Sequence, residues 1–137
     1  MKINILISIR PRHCNDILNG IKEIELRKNF PACAQFPCKV YLCKTGTGGD
    51  IVGEFTCVDS YNIKPNMSDE ELSEFATKAC VTLDELKAYM NHHIITGWMI
   101  SNVVDYTKTD SVKHISDFGV NKVPQSWCYV TGSDDDV

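Results

Sequence analysis

A chain of 137 residues is one domain's worth of sequence. Its 43% hydrophobic and 23% charged residues lie in the ordinary globular range and exclude wholesale disorder. No apolar run approaches the ~18 residues that a bilayer span needs, and the net charge of −4 argues against a protein that coats nucleic acid with its whole surface.

That net charge is unevenly spread. Residues 1–44 carry eight Lys or Arg against three Asp or Glu, a net of +5, and residues 45–137 carry six against fifteen, a net of −9. One basic cleft near the N-terminal part is compatible with this split, and so is a merely solvated face.

Taken in chain order, Ile3, Ile5, Ile7 and Ile9 alternate with Asn4, Leu6 and Ser8, the period-two pattern of a buried strand. The run is short, and no small-residue cleavage site follows it, so a signal peptide is not expected. Arg10-Pro11 ends the strand and opens a helix over 11–19, which Asn19-Gly20 stops. Residues 22–28 alternate again, with Ile24 and Leu26 on one face and Glu23, Glu25 and Arg27 on the other. A proline-bearing loop over 30–37 leads to a short strand at 40–43, a glycine-rich turn at 45–50 and a strand at 51–58. In that last strand Gly53 marks a bulge or a close approach.

Two capping boxes, Ser68 to Glu71 and Thr82 to Glu85, announce two helices within 68–92. Residues 94–106 read as one long strand bent at Gly97. A turn at 116–119 and a final strand at 127–131 complete the pass. Trp98 is expected in the core, and His92-His93 at a solvated helix end. The order is not the strand–helix alternation of a parallel sheet. An α+β fold is expected: a small, mostly antiparallel β-barrel of five or six strands with helices packed at its ends. It forms a single domain over 1–132, with an acidic, flexible tail at 133–137, and a soluble, cytoplasmic protein is expected.

The cysteines, at 14, 33, 38, 43, 57, 80 and 128, are odd in number and contain no CxxC pair. Their spacing, even with His13 or His114 added, is unlike that of structural zinc sites. Buried or half-buried free thiols are expected, with no metal and no cofactor.

GxSxG, HExxH and Walker patterns are all missing. The informative segment is Gly20-Ile21-Lys22-Glu23-Ile24-Glu25-Leu26-Arg27, which places a lysine, two carboxylates and an arginine directly after a helix stop. Charged residues on an edge strand can serve only to discourage aggregation. With Ser8-Ile9-Arg10-Pro11 before it, however, the segment resembles the opening of an ASCH domain, a member of the PUA-like superfamily. Further along, Ile51-Val52-Gly53-Glu54-Phe55 resembles that family's "vGe" strand. Asp117-Phe118-Gly119 with Pro124-Gln125-Ser126-Trp127-Cys128-Tyr129 resembles the C-terminal motif of its phage and bacterial members.

The resemblance implies a cleft between barrel and helices that binds RNA or another nucleic-acid element. Ser8, Arg10, Lys22, Glu25, Arg27, Gln125, Ser126 and Trp127 are then the candidate binding residues. Arg10, Lys22 and Arg27 suit phosphates, Glu25 suits a base amino group or a ribose hydroxyl, Gln125 and Ser126 suit a base edge, and Trp127 suits stacking, although core is the commoner place for such a Trp. The partner expected is RNA or a small nucleotide, with no membrane. The alternative is a hydrolase acting on a modified nucleoside or RNA, with Lys22 and Glu25 at its centre. Some small ASCH proteins deacetylate N4-acetylcytidine with a Lys, a Thr three residues on and a Glu from the helical insert. Lys22 matches the first, Glu25 stands at the second, and the third falls near Ala79 or Cys80, so binding is favoured over that catalysis.

Overall fold

The computed structural model describes residues 2–131; the expected tail at 133–137 and the expected domain end at 132 lie outside them. Strand β1 (Ile3–Ile9) leads through helix α1 (Pro11–Leu18) to β2 (Ile24–Arg27), β3 (Cys38–Lys44), β4 (Asp50–Cys57) and β5 (Ser60–Ile63). Helices α2 (Asp69–Lys78) and α3 (Leu83–Met90) follow. The chain then continues through β6 (Ile95–Met99), β7 (Ser101–Asp105), β8 (Lys113–His114), a 3-10 turn at Ile115–Phe118 and β9 (Trp127–Thr131).

The content is mixed α+β, with three α-helices and mostly antiparallel strands, but the described strands form two sheets and not a closed barrel. The larger sheet has the order β7-β4-β3-β1-β9 with β8 on β4, and the smaller one the order β2-β6-β5. One pairing, β1 with β3, is parallel. The expected strand over 94–106 is instead two strands in different sheets. Its break falls at Ile100, whose N–H donates to the Glu23 carbonyl at 3.0 Å, and not at Gly97, which pairs within β6 with Leu26 and Tyr61. Among the described residues β7 and β9 end the larger sheet without pairing to each other, so it stays open.

Burial explains the period-two pattern of β1. Ile5, Ile7 and Ile9 enter one core cluster with Cys14 and Ile17 of α1 and with Trp98, while Leu6 enters a second cluster on the opposite face with Tyr41 and Ile115. A fully buried Ile or Leu contributes about 1.5–3 kcal/mol, so both faces hold the strand. A third cluster joins Ile24 and Ile63 to Leu72, Ala76, Leu86 and Met90, and it seats the α2–α3 insert on the smaller sheet.

Both capping boxes form: Ser68 accepts from the Glu71 N–H at 3.2 Å and Thr82 from the Glu85 N–H at 3.1 Å. Gly53 is a close-approach point, as a Cβ there would lie 2.7 Å from the Val104 carbonyl oxygen and 2.6 Å from Leu18 Cδ2. Cys14, Cys38, Cys43 and Cys57 are buried, Cys80 and Cys128 half-buried, and Cys33 exposed. His92 and His93 are exposed. No helix among the described residues is long and apolar enough to cross a membrane.

Candidate functional site

The site begins at the end of β1 and the first turn of α1. Pro11 at the first helical position fixes the entry, and this brings Arg10 and His13 to one side. At the other end of α1, Gly20 takes φ +74°. The Ile21 and Lys22 N–H groups then fold back onto the Asp16 carbonyl at 2.9 and 3.0 Å. That turn aims Lys22 inward, and its residue is only 3% exposed.

Three acceptors meet the Lys22 ammonium. It donates to the Ala79 carbonyl at the end of α2, lies 3.6 Å from Glu25 Oε1 and lies 3.4 Å from His13 Nδ1. The helix-end carbonyl carries the negative end of the α2 dipole, which favours a cation there. Burial pushes the Lys22 pKa below the ordinary lysine value, and Glu25 opposes that shift. Burial, followed by the neighbouring Lys22 charge, likewise lowers His13. An ammonium can only donate, so Nδ1 of a neutral His13 must accept, and its proton sits on Nε2.

Glu25, 5% exposed, is held from the other side by Arg27, whose Nε and Nη2 both lie 2.8 Å from Oε2. Positions 25 and 27 share one face of β2, as the alternation required. The remaining Arg27 N–H groups reach the Ser8 carbonyl at 2.9 Å and the Ser126 carbonyl and Oγ at 3.3 and 3.2 Å. Each of the three guanidinium nitrogens therefore donates to a partner within the protein. Ser8 strengthens the same junction, with its N–H on the Ser126 carbonyl at 2.9 Å and its hydroxyl on the Pro124 carbonyl at 2.5 Å.

Around this ion chain opens a cavity of about 520 Å³, lined by Ser8, Ile9, Arg10, His13, Lys22, Glu25, Leu26, Arg27, Thr45, Val81, Glu85, Tyr89 and Gln125. The structure thus brings Gln125 from the far end of the chain to the cavity that Lys22 and Glu25 line. The pairing of β1 with β9 does this, since Ile7 faces Trp127 in register and residues 124–126 must then pass Ser8. Trp127 does not line the cavity. Its place opposite Ile7 turns it toward the core, where it packs half-buried, edge-on to Tyr129 at 5.1 Å. Ser126 acts through Arg27 and does not line the cavity either.

The cavity is less basic than the charge split suggested. Arg10, Lys22 and Arg27 line it as cations, and Glu25 and Glu85 as anions. Among the described residues the Arg10 side chain has no hydrogen-bond or ion-pair partner, whereas the Lys22 and Arg27 side chains are engaged within the protein. No three His, Cys, Asp or Glu side chains among the described residues converge as a metal site.

Three solved structures share this architecture. The ASCH protein from Zymomonas mobilis matches with a TM-score of 0.73 at 14% identity, over 97% of this chain and 91% of that one. A serine-to-alanine variant of it gives 0.72 at 13%, over 97% and 92%. A tyrosine-to-phenylalanine variant gives 0.71 at 15%, over 97% and 94%. The chain has the ASCH fold. No family model and no curated protein matches it by sequence.

Within the ASCH fold, the α2–α3 insert forms one wall of the cavity, and here sequence reasoning missed residues. Ala79 and Cys80, where an insert glutamate was sought, mark the end of α2. Their carbonyls hold Lys22 and, at 2.8 Å, Arg12. The insert carboxylate that lines the cavity is Glu85, at the start of α3. It accepts from the Thr82 N–H at 2.9 Å and lies 3.4 Å from Arg12. The Thr82 N–H, above all, holds it below the usual carboxylate range. Glu85 and Tyr89, four residues apart, share one face of α3, and Val81 stands just before the helix cap at Thr82. That spacing was the available signal. Thr45 and His13 carried none.

Proposed function

We propose that this cavity binds a nucleotide, free or at the end of a short single-stranded RNA, at a single site. The observation that carries the reading is the buried Lys22–Glu25–Arg27 chain facing a cavity in which Arg10 and Gln125 still have open bonding capacity. Burying three charges is costly unless each is paired, and such clusters gather at functional sites. The open groups set the chemistry. The Arg10 guanidinium suits a phosphate, and the Gln125 amide can donate and accept along a base edge. Ile9, Leu26, Val81 and Tyr89 offer apolar wall to a base, one face of the Tyr89 ring being covered by Lys28 at 3.8 Å. The resemblance of the sequence to ASCH proteins and the shared fold support the same reading.

Fluorescence anisotropy with labelled short single-stranded RNA, competed by nucleotides across a potassium chloride series, tests it. One phosphate contact predicts that log K falls with log salt with a slope of about −0.7. Gln125→Ala should change base preference, and Arg10→Gln should weaken all sequences alike. The absence of binding, or binding indifferent to salt, would refute the reading.

A hydrolase is the second reading, favoured by Lys22 standing 3.4 Å from His13 and 3.6 Å from Glu25 with Glu85 lining the same cavity. Against it, both Glu25 oxygens already face cations, and Glu25 stands where a threonine is needed. Incubation with N4-acetylcytidine should therefore release no cytidine. Release that vanishes in Lys22→Met would promote this reading.

A further inference from the structure

We propose that the α1 end of the cavity is an anion subsite for a single phosphate monoester, built from the Arg10 guanidinium, the His13 Nε2–H and the Thr45 hydroxyl. The inference rests on the nucleotide reading and assigns the place of the phosphate within it. Arg10 and His13 stand three residues apart across the first turn of α1. The Thr45 N–H donates to the Ile9 carbonyl at 2.9 Å, which pins Thr45 beside Arg10, and all three side chains line the cavity.

Each offers a donor without a partner among the described residues. Lys22 fixes the His13 tautomer by occupying Nδ1, which leaves Nε2–H as a donor. The competing acceptors are engaged elsewhere: Glu25 by Lys22 and Arg27, and Glu85 by Thr82 and Arg12. Donors gathered with one open cation suit one anion.

The cations farther out do not extend the subsite into a track for a longer backbone. Arg12 is tied to Cys80 and Glu85, Lys28 to the Tyr89 carbonyl and Lys44 to Asn15 at 3.3 Å. A strand-binding groove needs open cations in succession. Here the phosphate meets its cation at one end, and the remaining wall of Leu26, Val81, Tyr89 and Gln125 is left for the nucleoside.

The test is isothermal titration calorimetry of the full chain at low salt with the four ribonucleosides, their 5′-monophosphates and inorganic phosphate. A monophosphate should bind about 10-fold or more tightly than its nucleoside, as expected for charge-assisted hydrogen bonds. Arg10→Gln and Thr45→Val should remove most of that advantage while nucleoside affinity stays within about twofold. Arg10 is exposed and its side chain has no hydrogen bond or ion pair among the described residues, so Arg10→Gln should keep the parent's Tm, measured beside the titration. Equal affinity for nucleoside and monophosphate would overturn the subsite and leave the nucleotide reading standing. A phosphate advantage that survives Arg10→Gln would place the anion elsewhere and overturn it too. Arg10-dependent binding of monophosphate and inorganic phosphate, with one nucleoside monophosphate indistinguishable from another and no nucleoside bound, would keep the subsite and sink the nucleotide reading. No binding of any of these probes would sink both.

Discussion

Replacing Arg27 with methionine separates a residue that holds the cavity together from one that is free to meet a ligand. The substitution keeps much of the apolar stem and removes five N–H donors. It strips Glu25, whose side chain is 7% exposed, of the partner that contacts it at 2.8 Å. Only Lys22 at 3.6 Å would remain. It also frees the Ser8 and Ser126 carbonyls from the guanidinium. Removing one partner of a buried ion pair costs about 3–5 kcal/mol, and the surviving Lys22 contact argues for the lower end. A loss of ~3 kcal/mol corresponds to a fall in Tm of about 10 °C for a domain of this size. Urea unfolding should show the loss in the midpoint with the slope unchanged. The double variant Glu25→Gln with Arg27→Met should not recover it, since Lys22, 3% exposed, is then a buried cation with no carboxylate beside it. A loss under about 0.5 kcal/mol would place Arg27 among exposed surface pairs. The ion chain would then no longer be the frame of the cavity.

Gly53→Ala should destabilise by about 1–3 kcal/mol in urea unfolding, because the new Cβ meets the Val104 carbonyl, which cannot swing aside; a neutral result would mean that β4 and β7 slide apart freely. His13, lowered by burial and by Lys22, should titrate below the ordinary histidine range by NMR with its neutral proton on Nε2, and Lys22→Met should raise it. Because the unfolded chain takes up that proton at higher pH than the folded one, this histidine's contribution to stability is present above the unfolded pKa and is lost as pH falls through the folded value. Of the thiols, exposed Cys33 should react first with a disulfide reagent. Cys57, pushed up to about 12 by burial, should react only on unfolding, and rapid labelling of Cys57 in the native protein would contradict its placement.

Most elements were legible because their signals are local. Period two in residues 3–9, the Asn19-Gly20 stop and the two capping boxes each report backbone preference within a few residues. The switch between sheets at Ile100 was not, because residues 94–106 are apolar and β-prone throughout, and only the pairing partners decide where the strand divides. β5 was missed because Tyr61 and Asn62 are exposed and leave little alternation to read. In the site, the shared face of Glu25 and Arg27 followed from spacing within one strand, while Lys22 arrives through the turn at Gly20. The arrival of Gln125 depended on β1 pairing with β9, a contact between chain ends that no local pattern encodes. Residue type alone did not show which neighbours engage a side chain: Arg27 lines the cavity with its hydrogen bonds directed to Glu25, Ser8 and Ser126, and Trp127 packs half-buried against the core.

The most direct test of the account is an amide and side-chain NMR titration of the isotope-labelled chain with the four ribonucleoside 5′-monophosphates. Binding in the cavity predicts saturable shifts concentrated at Arg10, His13, Thr45, Glu85, Tyr89 and the Gln125 side-chain amide, with the size of the Gln125 shift depending on the base. Shifts confined to the opposite face of the larger sheet, around Tyr41, Tyr106 and Phe118, or none at millimolar nucleotide, would contradict it.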